Sequence, residues 1–151
     1  MQEAASAGHI HVKQWGLSCG FQLNNPHLDF MSCGSPTTAA LQWLTEMFPG
    51  VQYTSEHLAL SVFRGSSAVF HYQSSRGCEI EPLVYLRAAS QQNMSFLKTL
   101  IDMNAVELTV EVTCDETEEQ MPLSTLMYRE AAESGNLLTI RYLYETVQCR
   151  E

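Results

Sequence analysis

The stretch "EAASAGHIHV", residues 3–12, recurs in recognisable form as "EAAESGNLLT", residues 130–139. Both read Glu-Ala-Ala, two small or polar residues, Gly, then His or Asn followed by an aliphatic residue. One pattern near both ends of a 151-residue chain indicates an internal repeat.

The Ala pair of this pattern has counterparts in the middle of the chain, here called the anchor pairs. From first member to first member they are separated by 27, 30, 27 and 43 residues, and the last step contains an insertion, residues 105–121. Small side chains at these positions would let neighbouring helices approach closely. The anchor pairs are Ala4-Ala5, Met31-Ser32, Ser61-Val62, Ala88-Ala89 and Ala131-Ala132.

Each anchor pair lies in a predicted short helix, the first helix of a unit, and a second predicted helix follows it. Apolar residues recur at helical spacing in the second helices, and Gly8, Gly65 and Gly135 allow tight turns between the two helices. The last second helix carries such a set at Leu137, Leu138, Ile140, Leu143 and Tyr144.

A unit of this size cannot bury its apolar face alone, whereas a stack of about five can. The sequence therefore predicts an all-α, helical-repeat solenoid forming a single domain, 1–151. Stacking of the tetratricopeptide or HEAT type is the alternative, although those periods are longer. The predicted units are roughly 1–22, 23–51, 52–79, 80–104 and 122–149, with an acidic finger or loop at 105–121.

A bulky residue recurs at one position of the second helices, and Thr99 is the exception. Its helical spacing and its place in the repeat favour packing between units over a ligand-binding role. The residues are Trp15, Trp43, Tyr72 and Tyr142.

"EAASAGHIHVKQW" and "REAAESGNLLTIRYL" resemble the Ala-Ala-x-x-Gly-His-x-x-Val-Val-x-x-Leu core of ankyrin repeats. The short period and the stretch "GCEIEPLVYLRAAS" are most similar to the divergent, shortened ankyrin units of protist and giant-virus arrays. The complete Thr-Pro-Leu-His signature of the family is absent, and only Pro82-Leu83 and Pro122-Leu123 echo it. The period, near 28, is also shorter than the usual 33 or so.

The resemblance implies a non-catalytic scaffold or adaptor that binds a protein partner on a concave surface of first helices and connecting fingers. Carried over by position, it assigns partner-binding residues on both elements. Those beside the anchor pairs are Glu3, Arg64, Arg87, Gln91, Glu130 and Glu133. Those on the fingers are Glu79, Glu81, Glu107 and Glu111.

The insertion has two parts. Val106, Leu108, Val110 and Val112 alternate with polar residues, as in a half-buried strand. Next comes an acidic segment, which is either a solvated loop or a docking tip for a basic partner. A calcium site is less well supported, because four carboxylates alone do not supply the ligand spacing of a calcium loop. The four are Asp115, Glu116, Glu118 and Glu119.

Composition narrows the classes of partner. Lys and Arg total 8 against 17 Asp and Glu, a net charge of -9, which disfavours nucleic acid. No apolar stretch reaches the roughly 20 residues of a membrane span. The five cysteines show no CxxC spacing, so a reducing compartment, cytoplasm or nucleus, is expected.

No pattern in the chain indicates catalysis. His9-x-His11 lacks further metal ligands at motif spacing, His57 and His71 have no recognisable partner, and no cysteine stands beside a recognisable base. The sequence therefore predicts no enzyme activity, metal or cofactor. Two alternatives stay open: a self-assembly element with uncapped ends, and a targeting domain of a larger enzyme, ubiquitin-ligase adaptor or pathogen effector.

Overall fold

The computed structural model describes residues 10–20, 37–91, 93–103, 105–113 and 119–148. Over these ranges the chain is mostly helical, with eight α-helices and one two-stranded antiparallel sheet. The mostly helical content confirms the predicted all-α class. The helices are α1 Ile10–Ser18, α2 Thr38–Met47, α3 Ser55–Phe63, α4 Ser67–Ser75, α5 Pro82–Ser90, α6 Met94–Met103, α7 Leu123–Glu133 and α8 Leu137–Gln148, and the strands are β1 Glu111–Thr113 and β2 Gln120–Pro122.

The chain divides into two compact units, Met1–Glu79 and Ile80–Glu151. The division falls at the predicted boundary between the third and fourth repeat units. Helices α3, α5 and α7 coincide with predicted first helices, and α1, α2, α4, α6 and α8 with predicted second helices.

In the first compact unit, α4 packs against both α3 and α2. Trp43 and Leu44 of α2 form a buried cluster, and Leu17 of α1 packs against it. Apolar side chains at helical spacing supply the rest of the core. They include Leu41, Leu58, Val62, Val69 and Phe70, all almost fully buried.

In the second compact unit, α7 packs against both α5 and α8, and α5 also packs against α6. Ala88, Ala89 and Ala131 of the anchor pairs are fully buried. Their small side chains permit the close approach of α5 and α7. The larger buried residues here are Tyr85, Leu97, Leu100, Leu123, Met127 and Leu143.

The turns α3–α4 and α7–α8 have the same geometry. Gly65 and Gly135 both have φ +69°, a left-handed conformation that glycine adopts without a steric penalty. The next N–H, from Ser66 or Asn136, donates to the first residue of the anchor pair at 3.0 Å and 2.8 Å respectively, and the glycine N–H donates to the second residue. This is a Schellman cap, and in both cases the anchor pair supplies the two carbonyls that accept its hydrogen bonds.

The insertion forms a β-hairpin in which Val112 pairs with Met121. The predicted alternation is only partly realised, because the strand is limited to Glu111–Thr113. The N–H groups of Leu123 and Ser124 donate to the carbonyls of Val110 and Leu108 at 2.8 Å and 2.9 Å. The hairpin base therefore satisfies N–H groups that the first turn of α7 would leave unpaired.

Candidate functional site

Of the predicted binding residues in the first compact unit, the two that the structure describes, Arg64 and Glu79, are exposed. Arg64 is the C-cap of α3, immediately before the left-handed Gly65. Glu79 is the last residue of this unit and is also exposed. Glu3, assigned in the same way, lies outside the described residues.

The remaining first-helix residues belong to the second compact unit, on the mutually packed helices α5 and α7. Arg87 and Glu133 are exposed, whereas Gln91 and Glu130 are half-buried. Glu133 lies 3.7 Å from the side chain of Arg129 in the same helix. The carbonyl of Gln91 accepts a 2.8 Å hydrogen bond from Asn136, so its backbone has a structural role.

The acidic finger residues that the structure describes point to solvent. Glu107, Glu111 and Glu119 are exposed around the hairpin, and Glu81 is the exposed N-cap of α5. Glu119 directly precedes β2, whose first residue pairs with Thr113. The other acidic-loop residues predicted as a docking tip, Asp115, Glu116 and Glu118, lie outside the described residues.

The apolar set that helical spacing indicates on α8 is only partly buried. Leu143 is fully buried and Ile140 is half-buried, but Leu137, Leu138 and Tyr144 are 76%, 70% and 56% exposed. The side of α8 toward α7 contains only part of the predicted apolar set. Helical spacing identifies an apolar surface, but it does not reveal whether another element covers that surface.

A hydroxyl cluster between α2 and α4 was not predicted. Tyr72 donates to Oγ1 of Thr45 at 3.2 Å, and the Tyr53 hydroxyl lies 3.0 Å from the same oxygen. Thr45 donates in turn to the carbonyl of Leu41 at 2.9 Å. Arg76 donates to the Tyr72 hydroxyl at 3.2 Å. Burial raises the pKa of Tyr53, partly opposed by its hydrogen bond to Thr45. The contacts join two consecutive second helices.

The sequence offered no recognisable partner for His57, and the structure shows one. The backbone N–H of Thr54 donates to Nδ1 of His57 at 2.8 Å, and Oγ1 of Thr54 lies 2.7 Å from the same nitrogen. The two residues form a capping box at the start of α3, with His57 in the place usually taken by Glu or Gln. The spacing of three residues from Thr to His was the available signal.

Within the ranges that the structure describes, no three His, Cys, Asp or Glu side chains are placed to hold a metal ion. No helix in those ranges combines the length and apolarity that crossing a membrane requires. Comparisons with protein-family models, curated proteins and solved structures found no match to this chain.

Proposed function

We propose that this chain is an ankyrin-like repeat module that binds a protein partner and has no catalytic role of its own. We further propose that it works in the cytoplasm or nucleus, on the grounds of its cysteine pattern. The support for the first statement comes from the repeated geometry of the helix pairs and from the acidic hairpin.

Recurring contacts between second helices support a stacked repeat. Tyr72 of α4 contacts Thr45 of α2, and Tyr142 of α8 lies beneath the ammonium of Lys98 on α6, 5.5 Å from the ring centroid. Both tyrosines occupy the position of the recurring bulky residue. In each compact unit the bulky residue of a second helix thus contacts the second helix before it, which supports a role in packing between units.

Part of the missing ankyrin signature also supports the proposal. Residues 54–59 read Thr-Ser-Glu-His-Leu-Ala, and the ankyrin signature reads Thr-Pro-Leu-His-x-Ala. Thr54, His57 and Ala59 match it, and Thr54 and His57 are hydrogen-bonded to each other at the start of a first helix. This partial match adds to the echoes of the signature noted at Pro82-Leu83 and Pro122-Leu123.

The anchored hairpin carries the binding proposal. Its base is tied to the first turn of α7 by hydrogen bonds to Val110 and Leu108, so the exposed carboxylates of Glu107, Glu111 and Glu119 are presented from a fixed position. Rigid presentation reduces the ordering cost of binding. Exposed carboxylates on a chain of net charge -9 favour a basic protein surface and fast association at low salt.

The test is affinity capture from cell lysate with a triple variant, Glu107→Gln, Glu111→Gln and Glu119→Gln. The matched control changes three exposed carboxylates elsewhere, Glu46→Gln, Glu56→Gln and Asp102→Asn, and has the same net charge. We expect the hairpin variant to lose basic partners that the control retains, and the retained binding to weaken with salt. Equal capture by both variants would contradict docking through the hairpin.

A further inference from the structure

Helices α6 and α8 correspond residue by residue, because their anchor pairs are 43 residues apart. Position by position, Met94 matches Leu137, Lys98 matches Arg141 and Ile101 matches Tyr144. In the first helices of the same pairs, Tyr85 matches Tyr128 and Ala89 matches Ala132. The burial of equivalent residues can therefore be compared directly.

Helix α6 contacts α8 of the following pair through two of these positions, Met94 and Lys98. The Oγ1 hydroxyl of Thr139 donates a 3.2 Å hydrogen bond to Sδ of Met94. The ammonium of Lys98 lies over the ring of Tyr142. Tyr85 and Ala89 are fully buried, and Ile101 is almost so. Met94 and Lys98 therefore contact the next unit directly, and Tyr85, Ala89 and Ile101 are buried beside them.

The equivalent residues of the α7–α8 pair are exposed, and we call them the outer face. Leu137 and Tyr144 are 76% and 56% exposed, Arg141 and Ala132 are also exposed, and Tyr128 is half-buried. Burial raises the pKa of Tyr128, and Tyr144 adds to the effect. The outer face thus has the composition of a packing surface but is open to solvent.

Helix α1 presents the complementary positions, here called the α1 face. Val12 and Trp15 stand where Thr139 and Tyr142 stand in α8, with anchor pairs 127 residues apart. Thr139 is fully buried, whereas Val12 and Trp15 are 43% and 64% exposed. Exposure of this degree is unusual for a Trp side chain.

In the first compact unit, the two counterparts of Trp15, Trp43 and Tyr72, each contact the preceding second helix. Trp43 packs with Leu17 of α1, and Tyr72 bonds to Thr45 of α2. Leu17 and Thr45 both lie two residues beyond the bulky residue of their own helix, as Tyr144 does beyond Tyr142. Trp15 therefore lacks, within the described residues, the contact with a preceding second helix that its counterparts make.

We propose that the outer face binds the α1 face of a second copy of this chain, head to tail. Leu137 packs on Val12, as Met94 meets Thr139. Trp15 lies against Tyr144 with Arg141 over its ring, repeating the arrangement of Lys98 and Tyr142. A guanidinium over an indole is a favourable cation–π pair. Arg141 forms an exposed 3.0 Å ion pair with Glu145 in its own helix, which contributes little by itself, and the sequence of α1 adds no further carboxylate.

Such an interface is heterologous, because the two copies contribute different surfaces. Each copy keeps one unused face after pairing, so association continues as the concentration rises. A variant with one face blocked can still supply the other face. This property separates the proposal from a symmetric dimer.

The test is sedimentation velocity of the full chain from about 1 to 200 µM, a range that covers micromolar affinities. The variants are Trp15→Glu, which blocks the α1 face, and Leu137→Glu, which blocks the outer face. Val12→Glu is a second α1-face variant, and circular dichroism checks that each variant folds. Phe63→Glu is the control, since Phe63 is exposed but lies on α3, outside both faces.

We expect the wild type and Phe63→Glu to grow in mass with concentration. Each face variant alone is a monomer, and an equimolar mixture of Trp15→Glu and Leu137→Glu forms dimers that do not grow further. A wild type that stays monomeric over the whole range would overturn the proposal, as would face variants that assemble like the wild type. Failure of the acidic-hairpin proposal would leave this result unchanged, because the hairpin variants retain both faces.

Discussion

The side-chain amide of Asn136 donates a 2.8 Å hydrogen bond to the backbone carbonyl of Gln91, 45 residues earlier in the chain. It joins the turn between α7 and α8 to the end of α5. Oδ1 of Asn136 also accepts the N–H of Thr139 at 3.2 Å, so this one buried side chain caps α8 and links two helix pairs.

Replacing Asn136 should therefore remove two stabilising interactions, the cap on α8 and the hydrogen bond to Gln91, which different substitutions can separate. We expect Asn136→Ala to lower the free energy of unfolding by about 2 kcal/mol, through the lost cap and an unsatisfied carbonyl. Asn136→Ser keeps a capping oxygen but does not reach Gln91, and should lose about half as much. Urea unfolding measures both, and equal losses would show that the link to Gln91 contributes nothing.

The left-handed turn at Gly135 gives a second prediction. A Cβ added there meets nothing within 4 Å, so the cost of Gly135→Ala comes from the backbone conformation alone and should be about 1–2 kcal/mol. Gly50→Ala is the control, since Gly50 also has open space and no positive φ. Thermal unfolding should leave the control unchanged or slightly more stable, and equal effects would contradict the explanation.

The positions of individual helices and their ends could be predicted from the sequence, because they depend on residues that are close together in the chain. The helical spacing of "NMSFLKTLID" and the glycine after "REAAES" define α6 and the end of α7 without reference to other parts of the chain. The anchor pairs likewise indicated which helices approach closely.

Features that depend on distant residues were not predicted. Gln120–Pro122 is too short for a strand pattern and forms a strand only because Glu111–Thr113 pairs with it. The exposure of Leu137 and Tyr144 depends on which element covers α8, and no local pattern encodes that. The partner of His57 was missed although it is only three residues away, because His is an uncommon residue in a capping box.

Tyr85 offers a matched test of the repeat. Its buried hydroxyl donates to the carbonyl of Leu100 at 2.9 Å and lies 3.4 Å from the N–H of Val106. Tyr85→Phe should lower the free energy of unfolding by about 1–2 kcal/mol. Tyr128→Phe, the same change at the equivalent half-buried position, should cost under about 0.5 kcal/mol. Similar losses from the two variants in urea unfolding would contradict this assignment.

The cap at the start of α3 predicts a difference between two substitutions of His57. His57→Leu leaves the N–H of Thr54 without its acceptor and should cost about 1–2 kcal/mol. His57→Gln supplies an oxygen at the usual capping-box position and should retain part of the stability. Urea unfolding distinguishes the two, and a Leu variant as stable as the Gln variant would rule out a capping role.

Alkaline pH should reveal the proximity of Tyr128 and Tyr144. Burial, together with Tyr144, raises the pKa of Tyr128 above its ordinary value of 10.0. Because the folded state holds this proton more tightly than the unfolded state, the contribution is intact below pH 10 and stability falls as the pH rises above it. Tyr144→Phe should lower the pKa of Tyr128 in a tyrosinate absorbance titration, and an unchanged titration curve would contradict their proximity.

In the stacked repeat that we propose, successive helix pairs place equivalent residues in equivalent contacts. NMR of the methyl-labelled full chain tests it most directly, since a 17.0 kDa protein is accessible to nuclear Overhauser measurements. We expect a strong Overhauser effect between the Met94 methyl and the Thr139 γ-methyl, together with effects between Lys98 and the Tyr142 ring. A Met94 methyl that instead contacts Leu138, with no effect to Thr139, would contradict the stacking of α8 on α6 and the equivalence of the helix pairs with it.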